Sequence, residues 1–204
     1  MLLYYLTDRR QFPGDEGERR RRFIQKVSEA ARNGVDYIQL REKDLSSREL
    51  EQLARDAMGC IAGTTAKLLI NSRSDVALVV GAHGVHLRSN DIAPEDVRKV
   101  WREAGAGTVP IVAVSCHVER EVMAAKQSGA DFVVFGPVFE KSQQLVTGFD
   151  ALRSVCRHQI PVLALGGVTR ENARSCVEGG AAGVAGIRLF QQGSVADLVE
   201  KLRG

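Results

Sequence analysis

Tyr37-Ile38-Gln39-Leu40 is a largely apolar run that ends abruptly in four charges, Arg41-Glu42-Lys43-Asp44. In a strand, side chains alternate between faces. Gln39, Arg41 and Lys43 then share one face, and Leu40 and Glu42 the other. Two cations together at a strand end suit an anion, and a guanidinium fork suits phosphate oxygens in particular. The competing possibility is that both cations pair with Glu42, Asp44 or neighbouring acids.

A second anion pattern lies near the C-terminus. Leu165-Gly166-Gly167-Val168 and Ala185-Gly186-Ile187-Arg188 each close an apolar run. Glycine lets backbone N–H groups approach a phosphate closely, though it also simply turns the chain. The pair of patterns calls for one substrate with a phosphate at each end, or two phosphorylated substrates. Asn71, Asp91, Ser115 and Lys141 also follow apolar runs. Asp91 is the best acid for Mg2+, which often takes only one or two carboxylates beside phosphates and waters. Its place shortly before Pro94 equally suits an acid at a helix start. His86 reads as a packed interior histidine. Cys116 and His117 are sequence neighbours whose side chains point apart, which argues against a nucleophile pair.

Positioning these groups requires a scaffold. The chain has 204 residues, 44% hydrophobic and 26% charged, enough for one ordinary domain with a full core over 1–204. A formal charge of +3, scattered basic residues and 5% aromatics do not suggest nucleic acid as a partner. No run of 18 apolar residues suggests a membrane span. Residues 1–8 lack the form of a signal peptide. The four cysteines are widely spaced, as expected of free thiols in a reducing cytoplasm. The oligomeric state is left open.

Eight short apolar runs alternate with helical patterns: 2–6, 35–40, 66–70, 84–87, 109–115, 131–136, 160–167 and 182–187. Ser46-Ser47-Arg48-Glu49 has the form of a capping box. Asn71 or Ser72 is placed to cap a helix at 74–80, and another helix is expected from Thr169 through Glu178. Continuously apolar strands are those of a parallel sheet covered on both faces. The pattern predicts an α/β fold, a single (βα)8 TIM barrel, with Arg41, Lys43 and the glycine loops at its C-terminal mouth. A doubly wound open sheet is the runner-up, but the chain after the first run has no glycine-rich fingerprint.

The motifs YYLTD (4–8), QLREK (39–43), LLINSR (68–73), GVHL (84–87), VSCH (114–117), GADFVVFGPVF (129–139), PVLALGGV (161–168) and GAAGVAGI (180–187) resemble, in the same order, those of the thiamin phosphate synthase and thiazole tautomerase superfamily. The resemblance implies an enzyme, a transferase of thiamin biosynthesis. Such a synthase couples a hydroxymethylpyrimidine diphosphate to a thiazole phosphate and releases diphosphate. By the same resemblance, Gln39, Arg41, Lys43, Asn71 and Ser115 hold the pyrimidine diphosphate. Gly167, Ile187 and Arg188 lie at the thiazole phosphate, and Asp91 is a magnesium carboxylate. The chain departs from that pattern in several places. Ser72 stands where the synthases place a second magnesium Asp. Arg88-Ser89 replaces Gly-Gln. Residues 140–144 (EKSQQ) replace a hydroxyl-and-lysine run, leaving Lys141 as its candidate substitute. Arg188 stands where a small residue is usual. The tautomerases carry a histidine where this chain has Pro137. Two alternatives therefore accompany the synthase reading: a thiazole phosphate tautomerase, and a non-catalytic thiazole phosphate-binding regulatory protein.

Overall fold

Eight parallel strands pair in chain order and close into a barrel. They are β1 (Leu2–Leu6), β2 (Tyr37–Leu40), β3 (Lys67–Asn71), β4 (Gly84–Arg88), β5 (Ile111–Cys116), β6 (Phe132–Phe135), β7 (Val162–Ala164) and β8 (Gly183–Gly186). Leu2 of β1 pairs with Gly183 of β8, so no sheet edge is left. The computed structural model describes residues 1–139 and 148–204, so Lys141 and the rest of residues 140–147 lie outside the described residues.

Strand alternation sorts the apolar residues into two layers. Tyr4, Leu6, Leu69, Ala113, Phe132, Val134, Leu163 and Ala185 fill the barrel interior. Tyr5, Ile38, Leu40, Leu68, Ile70 and Val85 face outward, where they meet the helices. Inside, Tyr37 packs on Phe132 with ring centroids 4.8 Å apart, and Tyr4 meets both rings edge-on. This aromatic plug lies below the C-terminal mouth, so groups at strand ends open upward into solvent rather than into a pore.

The outer ring holds α1 (Glu16–Arg32), α2 (Ser47–Ile61), α3 (Ser74–Val80), α4 (Pro94–Glu103), α5 (Glu119–Gln127), α6 (Phe149–Val155), α7 (Ala173–Glu178), α8 (Arg188–Gln191) and α9 (Val195–Arg203). The capping box at Ser46 and Glu49 is present, and Asp15 with Glu18 makes another at the start of α1. Two local expectations are corrected. Neither Asn71 nor Ser72 caps α3, whose N-cap is Arg73 without a side-chain bond. The helix expected from Thr169 begins only at Ala173. The Thr169 hydroxyl accepts the Glu171 and Asn172 N–H groups, and Asn172 Oδ1 accepts the Thr169 N–H, so a local turn displaces the first helical turn. The short helix α8, directly after β8, is an addition.

Candidate active site

The charges after β2 are sorted by alternation. Glu42 and Asp44 turn toward Arg9, in a short 3-10 turn at Arg9–Gln11. Arg9 Nη1 donates to Glu42 Oε2 at 3.0 Å and to Asp44 Oδ1 at 2.8 Å, while Nη2 donates to Asp44 Oδ2 at 2.9 Å. The Thr7 hydroxyl donates to Glu42 at 2.7 Å and accepts the Arg41 N–H at 3.0 Å. Arg9 is buried, and Asp44 above all, then Glu16 and Glu42, hold its pKa higher still, against the pull of burial. Glu42 and Asp44 are thus consumed by Arg9. The side chains of Arg41 and Lys43 make no hydrogen bond or ion pair among the described residues. The Lys43 pKa is lowered, chiefly by the Arg41 charge, then by burial and by Arg88, with Asp8 opposing. An ammonium pressed by like charges is a site that favours an anion.

Below these cations, a polar chain crosses the apolar interior. Gln39 Nε2 donates to the Tyr4 hydroxyl at 3.2 Å, the Tyr4 hydroxyl meets His86 Nδ1 at 2.9 Å, and His86 Nε2 meets Ser115 Oγ at 2.7 Å. Burial, then the Arg41 charge, push the His86 pKa down to about 3 against Asp91, so the ring is neutral. The donor inventory then sets a direction. Tyr4 accepts from the amide and donates to Nδ1, so Nε2–H donates to Ser115. The Ser115 hydroxyl proton is left to point elsewhere, as a phosphate oxygen requires. Gln39 Oε1 is buried with no partner among the described residues, an acceptor left open.

Across the mouth, Asn71 ends β3 and pairs in register with His86. Ser72 follows with φ of +56°, a left-handed conformation costing a non-glycine residue about 1–2 kcal/mol. That turn brings its hydroxyl to Asp91 Oδ2 at 2.6 Å. Asp91 Oδ2 also accepts the Arg88 backbone N–H at 2.8 Å, and Oδ1 accepts Arg88 Nε and Nη2 at 3.1 and 2.8 Å. Burial raises the Asp91 pKa, but these four donors outweigh it and leave the group below its ordinary value. A carboxylate has about four lone-pair sites, so Asp91 is filled. Magnesium demands octahedral oxygen ligands and charge. One saturated carboxylate beside a neutral hydroxyl and a guanidinium does not fit it. No cluster of three or more acidic, His or Cys ligands occurs among the described residues.

On the far side of the mouth, a cavity of about 630 Å³ opens among the ends of β1, β2, β6, β7 and β8. Gly166, Gly167, Gly186, Ile187 and Arg188 line it, as does Arg41 from across the barrel. Gly166 and Gly167 have φ of +91° and +67°. A Cβ on either would meet Pro137 Cα at 2.5 Å or Phe139 Cβ at 2.7 Å, so only glycine fits the conformation and the space. His117 also lines this cavity, with Nδ1 2.5 Å from the Gly136 carbonyl. Cys116 is buried instead against the helices, where burial pushes its thiol up to about 12.

The structure therefore gathers Gln39, Arg41, Lys43, Asn71, Ser115, Asp91 and the β7–β8 glycines at one mouth. The sequence reading missed Arg9, whose partners Glu42 and Asp44 lie 33 and 35 residues away. It also missed Tyr4 as the link between Gln39 and His86. Alternation within YYLTD already turns Tyr4 inward beside Leu6, but nothing local names its partner. Arg88, two residues after the inward His86 and three before Asp91, carried a usable signal.

The thiamine monophosphate synthase family matches this chain over residues 3–190. A relative from Aquifex aeolicus, provisionally named a thiamine-phosphate synthase 2, is 38% identical over 192 residues, 92% of this chain and 96% of the relative. The thiamine-phosphate synthase 2 of Streptococcus pneumoniae is 34% identical over 196 residues, covering 94% of this chain and 88% of that one. The solved thiamine phosphate pyrophosphorylase from Pyrococcus furiosus superposes with a TM-score of 0.82 at 30% identity, over 99% of this chain and 93% of its own. With the same motifs at the strand ends and relatives similar along nearly the whole length, the chain belongs to the thiamine monophosphate synthase family.

Proposed function

We infer that the chain is a thiamine-phosphate synthase, a transferase that couples a hydroxymethylpyrimidine diphosphate to a thiazole phosphate and releases diphosphate. The observation that carries this reading is the two-sided mouth. Cations after β2 that make no ion pair among the described residues face a glycine-lined cavity at β7 and β8, with Arg41 reaching both. The reaction breaks the bond between the pyrimidine methylene carbon and the diphosphate oxygen, and the electron pair leaves with the oxygen. The thiazole nitrogen then gives its lone pair to the methylene carbon. No proton transfer is needed, so the protein's work is to position two anions and to stabilise charge growing on the leaving oxygen.

In this reading Arg41, Lys43, Asn71 and Ser115 hold the diphosphate, with the Ser115 proton directed outward by the His86 relay. Gln39 offers its unpartnered oxygen to the pyrimidine. Gly166, Gly167, Gly186 and Ile187 cradle the thiazole phosphate, with Arg188 at the rim, and Lys141 remains the candidate from the loop after β6. Both the tautomerase and the regulatory-protein alternatives lack support among the relatives. No described helix is long and apolar enough to cross a membrane. The cysteines Cys60, Cys116, Cys156 and Cys176 are free, which supports a cytoplasmic setting. The test is incubation with both phosphorylated substrates, with magnesium and in EDTA, the product read by mass spectrometry. Thiamin phosphate with equimolar diphosphate is expected. Absence of coupled product in both conditions overturns the reading.

A further inference from the structure

We propose that Arg88 is a third diphosphate-binding cation, a fixed guanidinium doing at this mouth what a protein-held divalent cation would otherwise do. The identity of the ligand rests on the synthase reading above. The first support is position. Arg88 closes β4 on the same face as His86 and pairs in register with Ser115, so it stands at the C-terminal rim beside the groups assigned to diphosphate.

The second support is how it is held. Two of its five N–H donors are spent on Asp91 Oδ1, which fixes the plane of the fork. The remaining donors are exposed, the side chain being 63% accessible while Asp91 is 12% accessible. Asp91 therefore acts as a buttress. Its other oxygen is closed by Ser72, which adopts the left-handed backbone that brings the hydroxyl within reach. Strain kept at a strand end beside a candidate site is where function locates it. The same four donors that disqualify Asp91 as a magnesium ligand preorganise Arg88 as an anion ligand.

The third support is charge. Arg41, Lys43 and Arg88 come from β2 and β4, and the acids facing them are Asp8 and Asp91. Lys43 feels both guanidinium groups. Arg41 and Lys43 side by side, with Arg88 still felt by Lys43 despite its pairing with Asp91, are unfavourable until an anion arrives. That stored repulsion is relieved most when the diphosphate takes the full electron pair of the breaking bond, so the cluster stabilises the transition state over the substrate. A fork also fits phosphate oxygens bidentately, which a point charge does not.

The test is calorimetric titration of inorganic diphosphate into the full chain in EDTA. Wild type is expected to bind. Arg88→Gln should weaken binding roughly ten- to hundredfold, the loss of a charge-assisted contact, and Arg88→Lys should recover part of it. Circular dichroism checks that each variant is folded, which the exposure of Arg88 favours. The double variant Ser72→Asp/Arg88→Gly should lose binding in EDTA and regain it with magnesium. Wild type that binds only with magnesium, or Arg88→Gln that binds in EDTA as wild type does, overturns the proposal. The two readings separate cleanly. Arg88-dependent binding without coupling turnover removes the synthase reading and keeps the clamp. Full coupling turnover by Arg88→Gln removes the clamp and keeps the synthase.

Discussion

The β7–β8 side of the mouth is made of backbone. Gly166 and Gly167 hold conformations that side chains resist, and the cavity they line is shaped by contact with Pro137 and Phe139. The β2–β4 side is made of charge. Arg41 and Lys43 stand there because Arg9 occupies Glu42 and Asp44, and Arg88 stands beside them held by Asp91. The contrast teaches that two phosphate-binding surfaces in one barrel can fail in different ways. A backbone cradle is lost by adding atoms. A charged cradle is lost by changing who pairs with whom, even at a distance.

The largest expected effect comes from upsetting that pairing. Arg9→Ala leaves Glu42 buried without its guanidinium, and breaking a buried pair from one side costs about 3–5 kcal/mol. Urea denaturation should show this loss, and Asp44 becomes free for Lys43. A loss below about 1 kcal/mol would show that Arg9 is not what keeps the two halves different. Next in size is the split between Arg41 and Lys43. Arg41 lines the glycine cavity as well, so Arg41→Ala should weaken both substrates, the pyrimidine diphosphate by roughly ten- to hundredfold. Lys43→Ala should weaken only the diphosphate. Equal effects of Lys43→Ala on both ligands would dissolve the division into two sides.

A third measurement uses pH. His86 has a folded pKa of about 3, below the ordinary value near 6.5. Above pH 6.5 neither state binds the proton and there is no effect. As pH falls below 6.5 the unfolded chain gains a proton that the folded chain refuses, so stability drops. At pH 5 the loss relative to pH 8 is about 2 kcal/mol from this group. His86→Gln, which cannot titrate, should lose that much less over the same range. Parallel stability curves for the two proteins would remove His86 as a buried neutral link. The smallest effect belongs to the backbone side. Gly167→Ala forces a Cβ into a left-handed position at a cost of about 1–2 kcal/mol and into contact with Phe139. Affinity for the thiazole phosphate should fall while inorganic diphosphate binds as before. Loss of both would mean that the two cradles are coupled.

Much of the site could be read directly from the chain because alternation and glycine geometry are local. Gln39, Arg41 and Lys43 share a face for the same reason that Ile38 and Leu40 enter the helix-facing core. Gly166-Gly167 announced a close backbone approach, and the structure adds which atoms come close. The helix boundary at Thr169 was misread because a serine- or threonine-type turn and a helix N-terminus draw on the same residue types, and side-chain geometry decides between them.

The sequence by itself determined the eightfold strand–helix order, the faces of the strands and the two glycine turns, since each depends on residues within a few positions of one another. Only the closed barrel decided the pairings. Arg9 with Glu42 and Asp44, Tyr4 with His86, and Ser72 with Asp91 are separated by 33, 35, 82 and 19 residues. The physical reason is that a charge or hydroxyl chooses its partner by distance in space. Strand register and barrel closure fix those distances, and no local pattern of residues encodes them.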